Sequence, residues 1–388
     1  MSAAGGAGAA GATGGMASRT SGAKAAVAAF SGTLGIAVLA ILITLILTAP
    51  LILAAGASPI DAYLNFFITP LTSQFRLLEV LVSATPILFT GVAVAIAFRS
   101  GYWNIGAEGQ LLMGAVAATF VGMNVEGWSP LVAIPLMILA GALAGAAWAF
   151  VPGILRVRLG IDEVVTTLLL NPVALLVVKG LVQGPWRNPD GITESPPIAA
   201  AAEFPTLLAK SRLHLGFILA VVILLIAWYV LSRTATGLRL RAVGLSPHAA
   251  RFAGIRVERS LLMVALVSGA IAGMAGVSEV AGIQGRLTPG LSSGAGYTGI
   301  VVAMLGGLSM PGVLGSALLL GDLNVGTNSA ERALGIPSQV GDVVQGTLLL
   351  VVVGLLAIRR WRVHRSDRPA DESEPPPDDE RHVEGAPG

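Results

Sequence analysis

What most constrains this chain is a series of apolar runs long enough to cross a lipid bilayer. They lie at about 27–55, 77–98, 108–124, 129–151, 162–183, 213–232, 261–283 and 341–358, with a further run at 297–322 broken at Met310-Pro311-Gly312. A hydrocarbon core about 30 Å thick takes about 20 helical residues to span, and a helix bonds its own backbone groups without water. The chain is 54% apolar and 12% charged with a mean hydropathy of +0.79, whereas soluble domains carry about 25% charged residues. The fold class expected is all-α: a polytopic transmembrane helix bundle occupying 27–358 and surrounded by lipid. The Gly/Ala/Ser-rich segment 1–26 and the acidic, Pro-rich segment 359–388 are expected to be disordered tails, the second of them cytoplasmic.

Charge sets the threading. Short cytoplasmic loops gather Arg and Lys, and Arg99, Arg156 with Arg158, and Arg359-Arg360-Trp361-Arg362 close successive runs. The first run, 27–55, is too long for a signal-peptide core. Segment 56–76 has room for a short interfacial helix. The Pro-rich, charge-balanced loop 184–212 then falls outside and 233–260 in the cytoplasm. Were 297–322 to cross once, the basic C-terminal end would lie outside, against the charge rule. Two crossing pieces give about ten spans with both termini cytoplasmic, and a re-entrant half-helix is the alternative. Gly141 with Gly145, and Gly269 with Gly273 and Gly276, form small-residue faces that let helices approach closely.

Several chemistries are excluded or unsupported. There are no cysteines, so disulfides and thiolate metal sites are absent, and the four histidines, His214, His248, His364 and His382, form no ligand cluster. None of the three lysines, Lys24, Lys179 and Lys210, follows a glycine, so there is no phosphate-binding Gly-Lys-Ser/Thr loop. If ATP drives this protein, another chain hydrolyses it. No nucleophile–base pairing marks the chain as an enzyme.

Segment 233–260 is the most basic interior loop, with Arg233, Arg239, Arg241, Arg251, Arg256 and Arg259. Within it Ser246 suits an N-cap, Pro247 the first helical position and Gly254 a left-handed stop. The pattern reads either as a topology signal alone or as a stiff helix presented to a cytoplasmic partner.

Polar groups inside the runs are the other signal, because each needs a partner or a wet path. Glu163, Thr167 and Asn171 recur every four residues on one helix face, just before Pro172. Asn104, Glu108 and Gln110 form a second cluster behind Tyr102-Trp103, with Asn104 placed to cap the helix that follows. These six residues either line a path for a substrate or bond between helices. Glu79, Glu279, Gln284, Asp322, Asn324 and Asp342 sit near span ends and read as solvated or capping groups. A relay of buried acids of the kind a proton-coupled pump requires is missing from the pattern.

Four stretches carry a family resemblance. His248-Ala249-Ala250-Arg251-Phe252-Ala253-Gly254 resembles the Glu-Ala-Ala-x-x-x-Gly loop of bacterial ABC importer permeases, with His248 at the Glu position. Asn104-Ile105-Gly106-Ala107-Glu108-Gly109-Gln110 is similar to the Asn-Ile-Gly-x-Glu-Gly-Gln segment of the permeases for nucleosides and simple sugars. Asp162-Glu163-Val164-Val165-Thr166-Thr167-Leu168-Leu169-Leu170-Asn171 resembles the same family's Asn-Glu-Val-x-x-Thr-x-x-Leu-Asn, with Asp162 where Asn is usual. Gly296-Tyr297-Thr298-Gly299-Ile300 through Gly306-Gly307 resembles its late Gly-rich segment. The likeness runs over roughly 77–358 and extends to the branched-chain amino acid and ribose permeases.

The resemblance implies a permease that moves nucleosides or related ribosyl compounds inward across the bacterial inner membrane. The alternatives kept open are the same machine carrying ribose or another simple sugar, and an ion-coupled secondary transporter. It implies a cytoplasmic coupling helix seated in a partner ATPase, with Arg241, Val243-Gly244, Pro247, Ala249, Ala250, Arg251 and Gly254 as coupling residues. With His248 in place of Glu, docking is expected to rest on Phe252 and Ile255, aided by Arg241 and Arg251. ATP is then bound by the partner, with no cofactor or metal in this chain and no nucleic acid. An extracytoplasmic lipoprotein delivers the substrate, and Gln110, where a sister type has Met, points to the first of two paralogous permeases in a heterodimer. Asn104, Glu108, Gln110, Glu163, Thr167 and Asn171 are the residues expected along the substrate path.

Overall fold

The protein is seen here as a computed structural model that describes residue 35 and residues 38–366. The expected tail 1–26 and the segment 367–388 lie outside the described residues. Among the described residues the secondary structure is helical, with one isolated antiparallel bridge between Thr206 and His214. The helices are α1 (Val38–Ala54), α2 (Pro59–Phe67), α3 (Gln74–Arg99), α4 (Ala107–Met123), α5 (Pro130–Leu159), α6 (Glu163–Gln183), α7 (Leu215–Arg233), α8 (Ala235–Leu245), α9 (Pro247–Phe252), α10 (Val257–Glu279), α11 (Ala295–Leu305), α12 (Met310–Leu334) and α13 (Gln339–Ser366). The all-α helical membrane bundle is as the apolar runs imply. Helix α13 continues to Ser366, past the boundary expected at 358.

The expected count of about ten spans is not reproduced by length and composition. Five helices, α3, α5, α6, α7 and α10, are long and apolar enough to cross a membrane, or six if α1 and α2, bent by 118°, are one broken span. Helix α4 and the apolar part of α13 are shorter apolar helices. The run 297–322 is broken earlier than Met310-Pro311-Gly312 suggests. Helix α11 has 11 residues, about 16 Å of rise, too short to cross. The break falls at 306–309, where Gly307 and Leu308 have φ of 60° and 57°. Met310-Pro311 instead opens α12, with Ser309 as its cap and Pro in the first turn, where a missing N–H costs nothing.

Helix α3 is the post around which the bundle is built. Every residue from Ala84 to Phe98 is buried, as suits a helix apolar on all sides. Helices α7, α10, α11 and α12 pack around it. Helices α5, α6 and α7 keep Leu143, Leu169 and Leu225 exposed on the bundle's outside, where lipid is as good a neighbour as protein.

Glycines set the closest packing between α4, α5 and α10. A methyl added at Gly145 would stand 2.8 Å from the Gly273 Cα and nearer still to the Gly269 carbonyl, and one at Gly276 would meet Leu111 and Ala115. The small-residue faces anticipated at 141–145 and 269–276 are therefore the contact surfaces.

Loop 184–212 folds back over one end of the bundle. Ser195 and Ile198 donate backbone N–H bonds to the carbonyls of Leu287 and Gly285, and Phe204 to that of Ala281. These anchor it over the turn Val280–Gln284 that ends the α10 span. His214 then caps α7: its Nδ1 accepts from the Gly216 N–H at 3.1 Å. Helices α8 and α9 lie at the opposite, basic end.

Candidate functional site

Three regions carry the polar chemistry: a cavity at the loop end, a buried seam, and the exposed surface of α8 and α9.

The cavity has a volume of about 1040 Å³, at the upper end of the few hundred to about 1,000 Å³ usual for small-molecule sites. Its walls come from the start of α3, the end of α10, α11 with its lead-in, α12 and α13. Charged groups of both signs face it: Arg76, Arg212 and Arg332 against Glu79, Glu279 and Asp342. Arg212 forms a bidentate ion pair with Glu79, joining the loop to α3. That bond, the largest influence on the guanidinium, holds the Arg212 pKa above its ordinary value. Among the charged groups stand neutral hydrogen-bonding side chains: Ser293, Thr298, Asn324, Asn328 and Gln345. Pro86, Ile87, Leu291 and Val301 supply apolar wall. Such a site can bind a neutral, hydroxyl-rich solute with some apolar surface.

Glu79, Glu279, Asn324 and Asp342, which read in the sequence as solvated or capping groups near span ends, all line the cavity. For Asn324 a signal was available. Asn324 and Asn328 are four apart and so share a helix face, but that pattern is visible only once α12 is known to continue to Leu334.

The six residues expected along a path are brought together, and none of them lines this cavity. All six are buried and bond to one another, to backbone or to a neighbouring side chain. Asn104 donates to Gln110 at 2.9 Å and to Ser268 at 2.8 Å, and its oxygen accepts from the Gly106 N–H and the Gln110 amide. Ser268 donates to the Ala93 carbonyl of α3. Thr167 accepts from the Ile105 N–H at 3.2 Å. Asn171 accepts from the Gly109 N–H at 2.9 Å and donates to the Ile105 carbonyl at 3.0 Å. Glu163 pairs with Arg156 at 3.0 Å and accepts from the Trp103 N–H, while Asp162 caps α6 through Val164 N–H at 2.7 Å. The polar cost of these residues is thus met by bonds across α3, α4, α6 and α10, in one seam.

Glu108 is placed differently from the other five. It reaches across to the start of α11, accepting from the Gly296 N–H at 2.9 Å and from the Ser292 hydroxyl. Ser292 and the Gly294–Thr298 stretch face the cavity, so here the seam and the cavity adjoin.

At the basic end the caps fall where the sequence puts them. Ser246 accepts from the Ala249 N–H at 3.2 Å, Pro247 begins α9, and Gly254 adopts φ 78° just past its end. Ala250 and Val243 are buried with Val257 in a small cluster that holds α9 to the bundle. Ile255, half-buried, packs on that same cluster. Phe252, 83% exposed, and Leu245, 77% exposed, form the apolar part of the free surface. Arg241 is exposed beside them, whereas Arg251 is bonded within the chain to Glu258 at 2.7 Å. Gly244 packs backbone to backbone on the turn after α3: a Cβ there would collide with the Arg99 carbonyl.

Comparison with known proteins places the chain. Residues 76–353 match the family described as branched-chain amino acid transport system / permease component. The chain is 37% identical over 338 residues to the glucose ABC transporter permease protein TsgB13 of Haloferax volcanii, covering 82% of this chain and 88% of that one. It is 38% identical over 285 residues to the guanosine ABC transporter permease protein NupP of Bacillus subtilis, covering 72% and 82%. With the nucleoside ABC transporter permease protein NupB of Lactococcus lactis it shares 33% over 317 residues, 79% of this chain and 87% of that one.

Proposed function

Starting from the fact that the chain belongs to this family of ABC transporter permeases, we propose that it carries nucleosides or related ribosyl compounds into the cell. The observation that carries this reading is the cavity. Its facing charges are balanced, its hydrogen-bonding groups Asn324, Asn328, Gln345 and Thr298 are neutral, and apolar wall lies beside them. A nucleoside offers matching ribose hydroxyls and a flat base, and the likeness to NupP and NupB points the same way. The likeness to a glucose permease favours a second reading, a simple sugar in the same cavity.

In this reading the chain spans the cell membrane with both termini in the cytoplasm and the cavity on the outer side, where a binding lipoprotein delivers the solute. The chain hydrolyses no ATP. A partner ATPase binds the nucleotide and grips the surface built from Leu245, Phe252 and Arg241, while Ala250, on the buried face of α9, holds that helix to the bundle. A second, paralogous permease completes the pore, as the paired names NupB and NupC, and NupP and NupQ, of the relatives suggest.

The test is uptake of radiolabelled guanosine, adenosine, glucose and ribose by cells with this chain and with Gly254→Trp, each with an intact or a dead ATPase. Nucleoside uptake that needs both the chain and a working ATPase, and that falls to background with Gly254→Trp, supports the reading; a residue other than glycine is strained at this left-handed position. Uptake that persists with a dead ATPase points to an ion-coupled carrier and overturns it. Uptake of sugar alone selects the second reading.

A further inference from the structure

We propose that the Glu108 carboxylate is the joint that carries movement of α8 and α9 to the cavity wall, acting as a positioning residue for transport. The proposal rests on the reading of the chain as an ATPase-driven permease.

The contacts form a short mechanical train with little slack in it. At one end, Gly244 at the end of α8 meets the turn after α3 without an intervening side chain: a Cβ on Gly101 would lie 3.1 Å from the Gly244 Cα. Displacing α8 therefore displaces Gly101. From there the chain runs directly through Asn104 into α4, and the stretch is held as a unit by Asn104, Thr167 and Asn171. On the first turn of α4 stands Glu108, 7% exposed, bonded to the Gly296 N–H at 2.9 Å and to the Ser292 hydroxyl.

What Glu108 holds is a small element suited to movement. Helix α11 has 11 residues and lies between left-handed glycines, Gly294 at φ 79° and Gly307 at φ 60°. Its free N-terminal N–H groups attract a carboxylate. Gly296 lets that carboxylate approach, since a Cβ there would collide with the Glu108 backbone. Tyr297 and Thr298 on α11, and Ser292 and Ser293 just before it, face the cavity. A pull on α4 thus turns the wall that the solute touches.

The chain has no cysteines, so Ser293→Cys gives a clean reporter in the full transporter, assembled with cysteine-free partner chains in liposomes. The labelling rate of that thiol by a membrane-impermeant maleimide is read with and without vanadate-trapped ATP. With Glu108 present, trapping is expected to change the rate about fivefold or more. In Glu108→Ala the change is lost while ATP hydrolysis stays within about twofold, and Glu108→Gln retains it, because its amide oxygen accepts from the Gly296 N–H while its NH2 donates to the Ser292 hydroxyl oxygen. A merely structural Glu108 predicts loss of assembly and hydrolysis together in Glu108→Ala, with no specific effect on labelling. Ser292→Ala, which removes one of the two bonds and leaves the fold, is expected to reduce the change measurably. A full labelling change in an assembled Glu108→Ala complex overturns the proposal, as does a full change in Ser292→Ala should Glu108→Ala fail to assemble. Labelling does not require the solute to be known, so an absence of ATP-dependent uptake by the unaltered protein would count against the transport reading separately.

Discussion

The seam and the cavity are both polar, both set in an apolar bundle, and built on opposite plans. The seam takes its residues from two short contiguous stretches, 104–110 and 163–171, joined by Ser268, and it leaves them buried with partners in place. The cavity is assembled from five helices, α3, α10, α11, α12 and α13, together with Arg212 of the loop. The difference teaches that in this chain the dense polar motifs hold helices together, while the open polar wall is drawn from elements far apart in the sequence. A group already satisfied by protein has little left to offer a ligand; a group on a solvated wall does.

Breaking the seam should cost the most. Asn171→Leu strands the Gly109 N–H and the Ile105 carbonyl in the interior, and is expected to destabilise the protein by about 2–4 kcal/mol. Thermal unfolding of the purified protein in detergent checks this. A Tm unchanged from that of the parent protein would erase the contrast between the two regions.

The loop end should be the more sensitive to acid. Burial pushes the His214 pKa down to about 4, against about 6.5 in an unfolded chain. Between those values the unfolded chain takes up the proton and the folded one does not, so stability is full above about pH 6.5 and falls as the pH drops toward 4. Protonation also removes the Nδ1 acceptor that caps α7. A loss of about 1–2 kcal/mol is expected between about pH 7 and pH 5, visible as a lower Tm. His214→Asn keeps a capping side chain and should flatten that dependence; an equal fall in the variant would assign the acid sensitivity to other groups.

A cavity substitution should cost least in stability and show only in transport. Asn324→Ala is expected to raise the KM for uptake about three- to fivefold, leaving the maximal rate and the Tm near those of the parent. A Tm drop as large as that of Asn171→Leu would mean that the cavity wall is as structural as the seam.

The fold was legible where its physics is local. Runs of apolar residues are continuous in sequence, and the glycine faces at 141–145 and 269–276 and the Ser246, Pro247 and Gly254 signals around α9 each lie within about two helical turns; the glycine faces and the α9 signals sit where expected. The six polar residues share faces as their spacing implies, yet sequence alone leaves open whether they meet helices or a path. The cavity was missed because Glu79, Glu279 and Asp342, taken singly, look like any charge at a span end. The break within 297–322 was placed differently from the structure for a related reason. Met310-Pro311-Gly312 reads as a helix breaker, but it opens α12, and the break falls instead at 306–309, where Gly306-Gly307 permits the left-handed turn and Ser309 caps the helix that follows. Phe252 and Ile255 read alike in the sequence, but the turn at Gly254 leaves Phe252 exposed and Ile255 half-buried on the bundle.

The burial of α3 on every side also sets an order of assembly. Thr90 donates to the Ala295 carbonyl, a partner 205 residues further along the chain. At about 5–20 residues per second, synthesis needs about 10–40 s to bring that partner to the membrane. Until then α3 must find its neighbours in lipid, which its unbroken apolar surface allows, and its final place at the centre is taken only after the last third of the chain arrives. The helix threaded among the first is thus completed among the last.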